Sequence, residues 1–153
     1  MTAAGYDHVQ RGRFHLLLLA LATLCALGGY WLGDREAGAP RLILVVTAAA
    51  MGFVAFCIRW LRVRDLGDTL LVHFGPIPLL RRRVDYRRIT TVERGRSLLL
   101  EGWGVHYLPG RGWTWNLWGR DTVVVHLGVS TLRIGTDDPE GLLAFLRQRV
   151  NRI

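Results

Sequence analysis

The sequence predicts a two-helix membrane hairpin followed by an α+β, mainly β domain, a bent antiparallel sheet of about seven strands capped by a C-terminal helix. Three observations predict it. Two uncharged apolar runs lie close together near the N-terminus. Past residue 64 the pattern changes to short β-branched and aromatic runs punctuated by Gly and Pro. One amphipathic helical stretch then ends the chain.

The first run, Phe14 to Leu32, reads FHLLLLALATLCALGGYWL, and the second, Leu42 to Ile58, reads LILVVTAAAMGFVAFCI. Crossing the hydrocarbon layer takes about 20 residues. The second run reaches that length through Trp60 and Leu61 if Arg59 snorkels to the interface. The predicted spans are therefore 14–32 and 42–61, behind an N-terminal tail, 1–13. A cleaved signal peptide is the rival reading of the first run. Its A-x-A-like Ala20–Ala22 lies inside the run rather than at its end, and a second run follows within ten residues, so a retained helix is expected.

Arginine counting orients the hairpin. Arg11 and Arg13 precede the first helix; Arg59, Arg62 and Arg64 follow the second. The 33–41 loop balances Arg35 and Arg41 against Asp34 and Glu36. Both termini are expected on the cytoplasmic side of the cell membrane. Tyr30 and Trp31 then fall at the outer interface and Trp60 at the inner one. Counting inward from the outer ends sets Ala22 and Ala26 level with Ala48 and Gly52, a pattern of small residues that lets helix backbones approach. Cys25 and Cys57 lie at different depths, so no disulfide is expected between them. No CxxC or Cys/His cluster supports a metal or redox cofactor, and none is expected.

The domain is expected over 65–153. Thr69–Phe74 and Leu79–Val84 read as a hairpin around the turn Gly75-Pro76-Ile77-Pro78. Further strands are expected at Ile89–Glu93, Leu98–Leu100, Gly104–Leu108, Trp113–Leu117, Thr122–Leu127 and Thr131–Ile134. Thr136 or Asp137 then caps a helix with Pro139 in its first turn, and Leu142, Leu143, Phe145, Leu146 and Val150 form its buried face.

This element order resembles that of a pleckstrin-homology (PH) domain. The stretch from Gly102 to Leu146 is similar to the second half of the bacterial PH-like domains of small membrane proteins. Those carry a Gly-x-Gly strand, a glycine-bearing hairpin and an "igTddPe.L" lead into the last helix. The matching residues are Gly102, Gly104, Gly112, Val123 and Ile134-Gly135-Thr136-Asp137-Asp138-Pro139-Glu140, with Leu142 or Leu143. The resemblance covers 65–150 and implies a scaffold or binding module, not an enzyme.

The net charge is +8, and all twenty basic residues are arginine. Beside a membrane the expected partner of that charge is anionic lipid of the inner leaflet rather than nucleic acid. The candidate contact residues are Arg81, Arg82, Arg83, Arg87 and Arg88, which read equally well as charges protecting an edge strand, and Trp118. Trp103 and one face of the Trp113–Trp115 strand are expected in the core, with Trp118 exposed. His73, His106 and His126 sit on separate strands with no spacing that demands a metal. The functional expectation is a non-enzymatic membrane-anchored interaction or assembly module whose partner is a protein segment or a second copy. The alternatives are an anionic-headgroup sensor and, below it, an enzyme with an unrecognised site.

Overall fold

A computed structural model of the chain describes residues 5–31, 38–97 and 103–151. Strand β1 (Asp7–Arg11) leads into helix α1 (Phe14–Trp31); α2 (Ala39–Cys57) returns and runs into β2 (Trp60–Asp65). Then come β3 (Thr69–Gly75), β4 (Arg81–Asp85), a 3-10 turn (Tyr86–Arg88) and β5 (Thr91–Arg96). The strands β6 (Gly104–Leu108), β7 (Gly112–Asn116), β8 (Asp121–Leu127) and β9 (Ser130–Gly135) follow, and α3 (Pro139–Val150) ends the described chain.

Both N-terminal helices are long and apolar enough to cross a membrane. Their large side chains, among them Leu16, Leu24, Ile43 and Phe53, are exposed, and the buried positions are small: Ala22 and Gly29 in α1, Ala55 and Cys57 in α2. Of the four residues expected in the helix seam, Ala22 is buried, Ala48 and Gly52 are partly buried, and Ala26 faces outward. The closest approach falls at Gly29, where an added Cβ would lie 3.3 Å from Val45 Cγ2. The shift has a simple cause: α2 starts at Ala39, three residues before the expected Leu42, with Pro40 in its first turn, and this changes which residues stand level.

Two boundaries differ from expectation for one reason. The 1–13 tail contains β1, and Trp60 and Leu61 belong to β2 rather than to the second helix. β1 and β2 are antiparallel neighbours, with Asp7 opposite Arg64 and Arg11 opposite Trp60. The helical hairpin is thus an insertion between two paired strands. Leu61 and Val63 point into the core while Arg62 pairs outward with Asp7. The Arg62 hydrogen bond holds the Asp7 carboxyl below the usual carboxylate range, against a smaller opposing effect of burial.

The strands form two sheets, ordered β1-β2-β3-β4 and β5-β8-β9-β7-β6. Nine described strands replace the seven expected, and the second sheet is mixed, because β7 and β9 pair in parallel. The expected Leu98–Leu100 strand lies outside the described residues. The sheets face each other over Leu61, Leu70, Val72, Phe74, Val123, Val125, Leu132 and Ile134, all fully buried or nearly so. Removing each such side chain from water stabilises the fold by roughly 1.5–3 kcal/mol. A two-sheet β domain with a C-terminal helix fits a PH-like arrangement loosely.

α3 closes one flank of this sandwich. Asp138, not Thr136 or Asp137, caps it, accepting a hydrogen bond from Gly141 N at 3.0 Å, with Thr136 Oγ1 bonded in turn to Asp138 N. Leu142 and Leu146 are buried in the core, and Phe145 stacks on Tyr6 beside β1. At the helix's other end Arg149 reaches Asp65 at 2.6 Å. The Asp65 carboxylate also accepts from Tyr86 at 2.8 Å and Gly67 N at 2.9 Å. Burial, followed by this contact with Asp65, pushes the Tyr86 hydroxyl well above its ordinary range.

Candidate functional site

The opposite flank carries no helix. There β4, the last strand of the first sheet, faces β6, the last strand of the second, and among the described residues neither has a further strand beside it. A cavity of about 350 Å³ opens between them, with Leu79, Leu80, Arg81 and Arg82 on one wall and Val105, Trp113 and Trp115 on the other. Past Arg82 and Trp113 a second hollow of about 260 Å³ continues to Tyr107 and the β8–β9 turn at Ser130. In the other direction Leu79 and Leu80 also wall a third cavity of about 160 Å³, whose far side is Phe53, Val54 and Cys57 of α2. The three share residues in sequence, so they line up from the flank of α2 to the far end of the sheets.

Strand register explains the polar groups here. Arg82 stands opposite Val72 and two residues from buried Val84, so its side chain starts on the core face of the first sheet. It is half-buried and makes no hydrogen bond or ion pair with any described residue. Burial and the neighbouring Arg88 both disfavour its charge, lowering its pKa. Trp115 stacks on Phe74 with ring centres 5.8 Å apart and is only 6% exposed, yet its indole N–H has no acceptor. A buried donor left unmatched costs about 1–3 kcal/mol, and among the described residues Thr114, Asn116 and Thr122 carry unmatched buried atoms too.

The predicted contact residues do not form one patch. Arg81 and Arg83 are exposed and Arg82 turns inward, in strict alternation. Arg81 lies at the end of β4 beside the helical hairpin, opposite His73. Arg87 and Arg88 follow the opposite end of that strand, which lies about 13 Å from Arg81 at the usual rise. Trp118 is 37% exposed and stacks on Trp103 at 4.4 Å. Trp103, expected in the core, is itself 40% exposed and leans on Phe14 at the start of α1. Trp113 and Trp115 do share a face, and only Trp115 is buried.

The histidines stay apart. His73 packs edge-on against Trp60, His126 meets Glu93 at 3.0 Å, and three strand spacings separate His126 from His106. No group of three His, Cys, Asp or Glu side chains gathers among the described residues. Sequence reasoning missed the roles of Leu79 and Leu80, which lie in the loop before β4 and are 60% and 43% exposed. The usable signal was the pair Pro76 and Pro78, which cannot donate to a strand ladder and so delay the return strand to Arg81. Comparison with protein-family models and with curated proteins gives no match.

Proposed function

We propose that the chain is a non-enzymatic, membrane-anchored interaction module with a PH-like domain at the cytoplasmic face, α1 and α2 crossing the bilayer with both termini inside. The observation that carries this reading is the continuity of strand and helix. α1 and α2 leave from β1 and β2, two paired neighbours of one sheet, with two residues between strand and helix on each side. Such a domain has no tether. Its end bearing Trp60, Leu79, Leu80, Trp103 and Trp118 rests on the inner leaflet, where indole rings prefer to lie, and Arg11, Arg13 and Arg59 flank it. The open β4–β6 flank, with two unpaired edges, is then the surface that meets a partner.

A surface headgroup sensor built from Arg81 to Arg88 is the second reading. It is supported less well, since Arg82 faces inward and Arg87 and Arg88 stand away from the helices. Cysteine accessibility tests the arrangement, in a chain with Cys25 and Cys57 changed to Ala. An impermeant maleimide is expected to label Gly38→Cys in intact cells and Val129→Cys only after permeabilisation. Labelling in the reverse pattern, or extraction of the protein by alkaline carbonate, overturns it.

A further inference from the structure

We infer that the β4–β6 flank is a binding site for an anionic amphiphile, its acidic head held by Arg82 and its apolar tail running past Leu79 and Leu80 to the side of α2. The inference rests on the membrane-anchored reading, which places that end of the cavity line at the bilayer, and names the ligand class of the flank.

Four observations carry it. The cavities are continuous: the first and third share Leu79 and Leu80, the first and second share Arg82 and Trp113. Their polarity is graded. The end beside α2 is walled by Phe53, Phe74, Ile77 and other apolar side chains, and the cation comes only further in. Arg82 is half-buried, lines both the first and the second cavity, and makes no hydrogen bond or ion pair with any described residue. A guanidinium without an acceptor suits a phosphate or carboxylate, which it can meet with two parallel N–H donors. Finally, the first cavity falls at the low end of the roughly 300–1,000 Å³ common for small-ligand sites, room for a head and the start of one chain rather than for a folded partner.

An inward arginine on an edge strand also discourages strand-to-strand aggregation. That accounts for Arg82, but not for the apolar line to α2. An acidic peptide laid on β4 would use the exposed Arg81 and Arg83 and would leave Leu79, Leu80 and the α2 cavity without a role.

The test uses the full-length protein in a non-ionic detergent, with ligand-induced rise in unfolding temperature and calorimetric titration as readouts. Dodecyl phosphate is expected to bind, and dodecylphosphocholine and inorganic phosphate to bind weakly or not at all. Arg82→Gln is expected to weaken dodecyl phosphate at least tenfold, about the size of a charged hydrogen bond, while Arg81→Gln/Arg83→Gln leaves it within about twofold. Leu80→Asp, at an exposed position, is expected to abolish dodecyl phosphate binding without lowering the unfolding temperature of the free protein. Inorganic phosphate binding as tightly as dodecyl phosphate overturns the tail. An equal loss in the Arg81/Arg83 variant overturns the assignment of Arg82. Arg82→Gln that oligomerises with unchanged binding makes the residue an edge guard and overturns the site. Tight binding of an acidic peptide with none of the amphiphile overturns the ligand class. Because these titrations are made in detergent, they can fail while the labelling pattern of Gly38→Cys and Val129→Cys stands, and the two failures are separable.

Discussion

Replacing Asp65 by Ala removes the carboxylate on which β2, the 3-10 turn and α3 converge. The side chain is 4% exposed and accepts from Arg149 at 2.6 Å, Tyr86 at 2.8 Å and Gly67 N at 2.9 Å. Truncating one partner of a buried ion pair costs roughly 3–5 kcal/mol. The Arg149 side chain is 26% exposed and can partly rehydrate, so the lower end, about 3 kcal/mol, applies. For a domain of this size that is a fall in Tm of about 15 °C. Thermal unfolding of the full-length protein in detergent, followed by the near-ultraviolet signal of the domain's tryptophans, measures it. The same carboxylate sets an acid limit. Burial alone would raise its pKa, but the bonds from Arg149, Gly67 and Tyr86 outweigh burial and leave it lowered. A lowered folded pKa gives stability that is complete above about pH 4, the ordinary Asp value, and is lost as pH falls through the folded value. The wild type should therefore lose Tm below that point, and Asp65→Ala should lose less over the same interval. A Tm change under about 3 °C refutes the reasoning, and so does an Asp65→Ala/Arg149→Ala double variant whose loss equals the sum of the singles, since contacting partners couple.

Three further outcomes are expected. Gly112→Ala should cost more than about 2 kcal/mol, because Gly112 has φ +81 and an added Cβ would meet Thr131 O at 2.3 Å; Gly110→Ala, with φ +77 but open space, should cost about 1 kcal/mol, and equal Tm losses would contradict the β7–β9 close approach. Deleting residues 1–11 removes β1 and the Tyr6 contacts with Asp138 and Phe145; limited proteolysis should then cut the β domain while helical circular dichroism persists, and unchanged protease resistance would count against β1 as part of the sheet. Trp118→Ala should destabilise by about 1 kcal/mol through loss of the Trp103 stack; an unchanged Tm would mean that the stack contributes nothing to the fold.

Much of the fold was legible where one physical signal dominates. The apolar run located α1 from Phe14, and helical spacing of Leu142 and Leu146 located α3. Strands with buried β-branched residues, such as Thr122 to Leu127, were also clear. The misses occur where two signals overlap. Trp60-Leu61 continues an apolar run, yet Leu61 and Val63 alternating against Arg62 and Arg64 is a period of two, and that pattern belonged to β2. β1 reads Asp-His-Val-Gln-Arg and buries a glutamine, Gln10, whose amide donates to Trp118 O at 2.9 Å, so hydrophobicity carried no signal there. For the site, the sequence showed the three arginines and their alternation. Which face looked inward depends on β3–β4 register, and the orphan Trp115 donor depends on how two sheets meet, a relation no local pattern encodes.

On the membrane-anchored reading proposed above, the insertion of the helical hairpin between β1 and β2 would tie assembly of the β domain to events in the bilayer. Asp7 can find Arg64 only if the chain has gone out and come back once, and a chain that crosses a single time strands one edge of the sheet on the wrong side. Leu61, Val63 and the Tyr6–Phe145 contact would then lack their cover, leaving a domain with an open core for proteases to take. On that reading correct insertion and a finished sheet would be one condition, and the domain would be its own record that the membrane segment arrived intact.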